Sequence, residues 1–147
     1  AAAALTCFMA FPSFAAETRA EYKEAAAPIR SELKAVNDEM EPLHTENKTI
    51  SAKYKSIRLE KKNTGALSVS KENWKKAKEL HAKIKDVHKD GAAGTAKALK
   101  AKAKADVKAK NFDSALDSMN QLLDLKKSRL ETLKETNEIW KQIDELL

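Results

Sequence analysis

Lysine is the residue type whose spacing in this chain most suggests binding chemistry. Between residues 95 and 110 lysines recur every three or four residues, and alanines recur beside them at the same spacing, so each set shares one face of a helix. The lysine stripe is Lys97, Lys100, Lys104 and Lys108, and the alanine stripe is Ala98, Ala101, Ala105 and Ala109. Such a surface favours capture of an acidic partner. The alternative is a solvated face that strong helix formers tolerate.

Patterns for catalysis and metal binding are missing from the sequence. His81 and His88 share a helical face but lie about 10 Å apart along the helix axis, too far for one metal ion, and His44 belongs to another helix. There is no glycine-rich phosphate loop and no nucleophile elbow, and the carboxylates are spaced as helical partners of lysines. We therefore predict a protein that is not an enzyme and that has no catalytic residue, no metal site and no cofactor.

Residues 1–15 resemble the remnant of a secretory signal. Residues 1–11 are uncharged and apolar, and residues 13–15 form a small-x-small cleavage pattern. The apolar run is too short to span a bilayer. Cleavage after Ala15 would remove Cys7 and with it any disulfide or thiolate chemistry. We predict an extracytoplasmic protein, secreted or periplasmic, without a transmembrane anchor; the alternative for this segment is a short buried helix.

The elements that must position the lysines are helices. The chain has 147 residues, of which 34% are charged and only 3 are Gly and 3 are Pro, so it suits one helical domain better than a sheet. From residue 22 a seam of apolar positions alternates in steps of four and three, which is typical of a coiled coil. The seam consists of Tyr22, Ala26, Ile29, Leu33, Val36, Met40, Leu43, Asn47, Ile50, Tyr54 and Ile57. Pro28 and Pro42 predict a kink or a new segment, with a bend near Pro42.

Helix-capping residues divide the rest of the chain. Gly65 suits the end of the first helix, and Ser70 suits the N-cap of the second. Residues 90–94 interrupt the helical pattern, Thr95 can cap a third helix, and Asn111 suits a left-handed cap before the last one. The predicted helices are about 17–62, 70–89, 95–110 and 112–147, within a single domain 16–147.

Helix lengths predict how these elements stack. The last helix spans about 54 Å and the two middle helices together about 52 Å, so the middle pair forms one broken return arm and the first and last helices are parallel. When Phe112 lies level with Tyr22, the same offset of 90 residues brings Asn137 level with Asn47. A polar pair in the seam fixes register. The predicted fold is all-α: an elongated antiparallel helical hairpin or bundle with coiled-coil packing, two long helices and a broken middle arm.

The charge of the chain, and the apolar surface that its helices do not bury against one another, predict which partners it binds. Residues 63–110 carry 13 basic and 5 acidic side chains, which favours unfolded or acidic protein clients or anionic envelope polymers. Scarce arginine and the lack of an aromatic stacking platform argue against nucleic acid. Apolar side chains lie on more than one face of the C-terminal turns and predict a homodimer. They are Ile139, Trp140, Ile143, Leu146 and Leu147.

The chain resembles the small extracytoplasmic helical proteins around Spy and CpxP. The shared features are a signal-like start, 132 residues after it without a further cysteine, lysine-rich helices and a broken helical hairpin. The resemblance lies in whole-chain character, since the LTxxQ motif of those families does not occur here. It implies a cradle-shaped, ATP-independent holdase, often dimeric, with a basic, partly apolar concave face. We therefore expect a chaperone-like or envelope-stress binding protein. The alternative is a structural coiled-coil protein that binds an anionic cell-wall or envelope polymer.

Overall fold

The computed structural model describes residues 15–87 and 93–147, which form four helices and no strand. The helices are α1 (Arg19–Thr64), α2 (Lys71–Val87), α3 (Ala93–Lys108) and α4 (Phe112–Asp144). The predicted all-α bundle is confirmed. Apart from the end of α2 and the start of α3, which adjoin residues outside the described ranges, the helix ends lie within three residues of the predicted ones. The signal-like residues 1–14, and residues 90–92 of the predicted break, lie outside the described residues.

The predicted seam joins α1 to α4. Every seam position of α1 is buried except Leu33 and Leu43, which are partly buried against the same core. Asn137 Nδ2 donates a hydrogen bond to Asn47 Oδ1 at 2.9 Å, and the pair is buried. The rings of Tyr22 and Phe112, which have the same offset of 90 residues, are stacked with centroids 5.5 Å apart. The predicted register and the parallel direction of α1 and α4 are therefore confirmed.

Ion pairs flank one side of this seam. Glutamates seven residues apart on α1 meet lysines seven residues apart on α4, which is the flanking-charge pattern of a coiled coil. The pairs are Glu32 with Lys127 at 2.7 Å, Glu39 with Lys134 at 2.8 Å, Glu46 with Lys141 at 3.9 Å and, with the charges reversed, Lys53 with Asp144 at 2.8 Å. These side chains are about half exposed, so each pair contributes at most about 1 kcal/mol. Their main effect is to favour one alignment of the two helices.

The two prolines do not divide α1. Pro28 and Pro42 both lie inside one continuous helix, so neither begins a new segment. Both are exposed, and water can therefore hydrate the carbonyl that each proline leaves without an N–H donor. Ile29 and Met40 remain buried in the seam beside them. The bend near Pro42 stays a prediction.

Capping confirms two expectations and corrects two. Gly65 takes the left-handed conformation at the end of α1, with φ of 73°. Ser70 Oγ accepts a hydrogen bond from Asn73 N–H at 3.1 Å, as expected of an N-cap. The assignment of Thr95 as a cap is wrong, because α3 already begins two residues earlier at Ala93. The left-handed residue at the α3–α4 corner is Lys110, with φ of 62°, and not Asn111, with φ of −87°.

Hydrogen bonds explain why Lys110 takes the left-handed conformation. Its N–H donates to Val107 O at 3.2 Å, and Asn111 N–H donates to Asp106 O at 2.8 Å. This pair of bonds is the Schellman motif, in which the left-handed residue comes directly before the residue that donates the longer-range bond. Here Lys110 is the left-handed residue and Asn111 is that donor. The motif satisfies two carbonyls that the end of α3 would otherwise leave without donors.

The corner predicts that Lys110→Gly stabilises the protein. A left-handed conformation costs an L-residue about 1–2 kcal/mol, and glycine avoids this cost. Part of the resulting stabilisation is lost, because glycine also gives the unfolded chain more conformational freedom. We expect the free energy of unfolding to rise by about 0.5–1 kcal/mol, measured by urea denaturation. Lys104→Gly, in the interior of α3, should instead lower it by about 1 kcal/mol. A loss of stability in Lys110→Gly would contradict the assignment of the motif.

The C-terminal apolar side chains pack within the chain. Trp140 and Ile143 are buried in a second core cluster with α1 and α2, and Ile139, Leu146 and Leu147 are partly buried against it. The apolar surface from which we predicted a dimer is thus largely covered by α1 and α2. Self-association therefore stays a prediction, but this surface no longer supports it.

Candidate functional site

A groove opens between α1 and α3. Each of these helices packs on α4, but their Cα atoms nowhere approach within 8 Å of one another. The resulting space has a volume of about 670 Å³, and we call it the α1/α3 groove. Its apolar lining comes from all three helices and consists of Tyr22, Ala103, Val107, Met119 and Leu122.

Six cationic side chains also line the α1/α3 groove. They are Arg19, Lys23, Arg30, Lys100, Lys104 and Lys108. No acidic side chain among the described residues lines it. The Arg30 guanidinium lies 5.8 Å from the centroid of the Tyr22 ring, which holds one charge against the groove wall. A cationic rim above an apolar floor suits a partner that is both acidic and apolar.

Only some residues of the predicted binding surface line the α1/α3 groove. Lys100, Lys104 and Lys108 line the α1/α3 groove, whereas Lys97 is exposed outside it. None of Ala98, Ala101, Ala105 and Ala109 lines the groove, and all four are exposed. The apolar groups that α3 contributes are Ala103 and Val107, which belong to a different stripe of the helix. The three cations from α1 were missed, because nothing in their local spacing shows which helix they face.

A polar network orients α3 on α4. Lys102 Nζ donates to Asp106 Oδ2 at 3.0 Å, to Ser114 Oγ at 2.7 Å and to Ser118 Oγ at 3.1 Å. Ser114 Oγ donates in turn to Asp106 Oδ2 at 2.7 Å. The hydrogen bonds from Ser114 and Lys102 lower the pKa of Asp106, so this carboxylate stays charged at neutral pH. The network anchors one flank of α3, and the lysines of the groove lie on the other flank.

Positive charge continues beyond the groove. Lys126, on α4, is partly buried. Its burial, followed by the charges of Lys100 and Arg129, lowers the pKa of its amine. An anionic partner bound nearby would offset this repulsion, because it favours the charged form of each neighbouring amine.

Within 15–87 and 93–147, no cluster of three His, Cys, Asp or Glu side chains is arranged to hold a metal ion. No described helix combines the length and apolarity needed to cross a membrane. Comparison with protein-family models, with curated proteins and with solved structures finds no match to this chain.

Proposed function

We propose that this protein is an ATP-independent, chaperone-like holdase or envelope-stress binding protein, which captures unfolded or acidic clients in the α1/α3 groove. The observation that carries the proposal is the set of six cations around an apolar floor without a lining carboxylate. Clustered charge of one sign raises the rate at which an oppositely charged client is encountered. The apolar floor then retains segments that a folded client would bury.

The floor of the groove supports weak, reversible binding. Tyr22 and Leu122 are each 5% exposed and Met119 is 8% exposed. A client can therefore cover only a small further apolar area, and apolar burial contributes roughly 25 cal/mol per Å². Loose retention suits a holdase, which must release its client for folding.

The second candidate function is a structural coiled-coil protein that binds an anionic cell-wall or envelope polymer. The ion pairs along the α1–α4 seam favour a stiff rod, and the cationic rim would serve for a repeating anion. The two functions differ in what they need from the groove floor. A polymer of anionic groups uses the rim alone, whereas an unfolded client also uses the apolar floor.

The extracytoplasmic location belongs to the same proposal. It rests on the signal-like sequence of residues 1–15 and on the resemblance to small extracytoplasmic helical proteins. A homodimer is also part of that resemblance. Sedimentation at tens of micromolar protein would show whether the chain associates.

The groove variant, Lys100→Gln with Lys104→Gln and Lys108→Gln, tests the client-binding proposal. Glutamine is about as good a helix former as lysine, so helicity should be kept. An exposed charge contributes about 0.5 kcal/mol to a partner, and three together correspond to about tenfold in affinity. We expect the concentration that suppresses aggregation of an acidic, refolding client, without ATP and at low salt, to rise about tenfold.

The control variant, Lys48→Gln with Lys83→Gln and Lys97→Gln, loses the same charge at exposed positions that do not line the groove. It should match the parent within about twofold, since its lysines do not face the client. Equal loss of aggregation suppression in both variants would mean that only the net charge of the protein matters. Equal suppression by the groove variant and the parent would show that the groove does not bind the client. Salt-sensitive pelleting with cell wall, without suppression of aggregation, would favour the structural alternative.

A further inference from the structure

A second concave surface lies between α1 and α2, and its floor is a stack of aromatic rings. The ring of Tyr54 is stacked on those of Trp74 and His81, with centroids 5.0 Å and 4.7 Å away. Trp140 meets Tyr54 edge-on at 6.1 Å. Tyr54, Trp74 and Trp140 are buried and His81 is half-buried. Flat rings packed on several sides have little freedom to move, so the floor is preformed.

Cations from two helices surround this floor. The space has a volume of about 380 Å³, and we call it the aromatic cleft. Arg58 and Lys61 line it from α1, and Lys78 and Lys85 line it from α2. All four are exposed, and none forms an ion pair with a described residue. Four like charges around one cleft repel one another, and bound anionic groups would relieve that repulsion.

The pKa of the half-buried His81 also reflects the positive charge around the cleft. Burial, followed by the positive charges of Lys85, Arg58 and Lys55, lowers the pKa of His81. The imidazole is therefore neutral at neutral pH and adds no charge of its own. No acidic side chain among the described residues lines the cleft to offset the cations.

We propose that the aromatic cleft binds a linear polyvalent phosphate, of at least three linked phosphoryl groups. Lys78 and Lys85 lie about 10 Å apart along α2, and Arg58 and Lys61 lie about 4.5 Å apart along α1. A single phosphate is too small to meet cations spread over that length, whereas an extended chain of phosphates can meet both rows. The guanidinium of Arg58 can bind two phosphate oxygens at once, and the lysines act as point charges.

The packing of Tyr54 and Trp74 disfavours a nucleotide base as part of the ligand. Base recognition by stacking needs an open aromatic face. Tyr54 and Trp74 cover each other and are 4% and 3% exposed, so neither face is free. The cleft shares no lining residue with the α1/α3 groove. The site is therefore separate from the proposed client surface, and a test of one does not depend on the other.

Tryptophan fluorescence gives a direct readout of this site. Both tryptophans of the chain, Trp74 and Trp140, belong to the aromatic floor. The parent should show a saturable fluorescence change with tripolyphosphate at low ionic strength, and calorimetry should report the same Kd. Orthophosphate should bind at least about tenfold more weakly, because it reaches fewer of the four cations. ATP should bind no more tightly than tripolyphosphate.

The cleft variant, Arg58→Gln with Lys78→Gln and Lys85→Gln, should weaken tripolyphosphate binding at least about tenfold. The control variant Lys48→Gln, Lys83→Gln, Lys97→Gln should stay within about twofold of the parent, and the cleft variant should keep its suppression of client aggregation. Circular dichroism checks that helicity is unchanged. If the cleft variant does not fold, amide chemical shifts of the parent decide: changes at the lining residues of α1 and α2 support the site, and changes spread along α3 overturn it.

Three further results would overturn the proposal. The first is no saturable response of the parent to tripolyphosphate. The second is equal weakening in the cleft and control variants, which would mean attraction by net charge. The third is ATP binding about tenfold more tightly than tripolyphosphate, which would show that a base is recognised and that the ligand is a nucleotide.

Discussion

Replacing Trp140 with alanine is expected to lower the free energy of unfolding by about 3–5 kcal/mol. The side chain is 6% exposed, and its ring lies edge-on to Tyr54 and His81, with centroids 6.1 Å and 5.6 Å away. It belongs to the core cluster that joins α4 to α1 and α2. Its removal leaves a large cavity at the point where these three helices meet.

The loss should be unevenly distributed along the chain. The helix α2 packs on α4 through this cluster, whereas α3 packs on α4 within the other core cluster. Urea denaturation measures the total loss, and amide hydrogen exchange should show faster opening in α2 than in α3. Leu59→Ala is the control: Leu59 is 57% exposed, and its truncation should change stability by less than about 0.5 kcal/mol. A loss below about 1 kcal/mol in Trp140→Ala would contradict the assigned packing.

Replacing Asn137 with alanine is expected to lower the free energy of unfolding by about 2–3 kcal/mol. The Asn137 side chain is 1% exposed and donates to Asn47 Oδ1 at 2.9 Å and to Glu46 Oε2 at 2.8 Å. Its loss leaves the Asn47 amide in the seam without its partner, and an unsatisfied buried polar group costs about 1–3 kcal/mol. The cavity adds to that cost.

Replacing both partners should reverse the effect. In Asn47→Leu with Asn137→Leu no buried amide remains to be satisfied at this level of the seam, and Glu46, which loses the bond from Asn137, is exposed to water. Stability should therefore equal or exceed that of the parent. A double-mutant cycle in urea, built from Asn47→Leu, Asn137→Leu and the pair, should give a coupling energy of about 1–3 kcal/mol. Additive losses would show that the two amides do not depend on each other.

The register of the long helices could be predicted because it follows from periodicity. Seam residues such as Tyr22 and Tyr54 are three or four positions from the next seam residue, and helix geometry alone places such residues on one face. Two asparagines at matched seam positions, Asn47 and Asn137, then leave one alignment in which both are satisfied. Helix ends were predictable for a similar local reason, since Gly65 takes the left-handed conformation, with φ of 73°, and Ser70 caps α2.

The candidate binding surface could be predicted only in part. The lysines at 100, 104 and 108 form a visible stripe on one helix, and they do line the groove. The sequence did not show that the neighbouring alanine stripe lies outside the groove, because an amphipathic pattern identifies the faces of a helix without naming what covers each face. Trp140 and Ile143 illustrate the same limit: we assigned them to a surface for a second copy of the chain, and α1 and α2 bury them.

Periodicity along the chain thus determined the all-α fold, the α1–α4 seam and its register, since each depends on local spacing and on one matched pair of residues. Tertiary structure decided the rest. Arg19 and Lys23 lie some 80 residues from Lys104 in sequence, and they line one groove only because α1 and α3 both pack on α4 while staying apart. The aromatic cleft likewise exists because α1 and α2 both pack on α4, which brings the Trp74 ring onto the Tyr54 ring. Spacing along one helix carries no information about such gaps, because a groove is set by the positions of helices relative to one another.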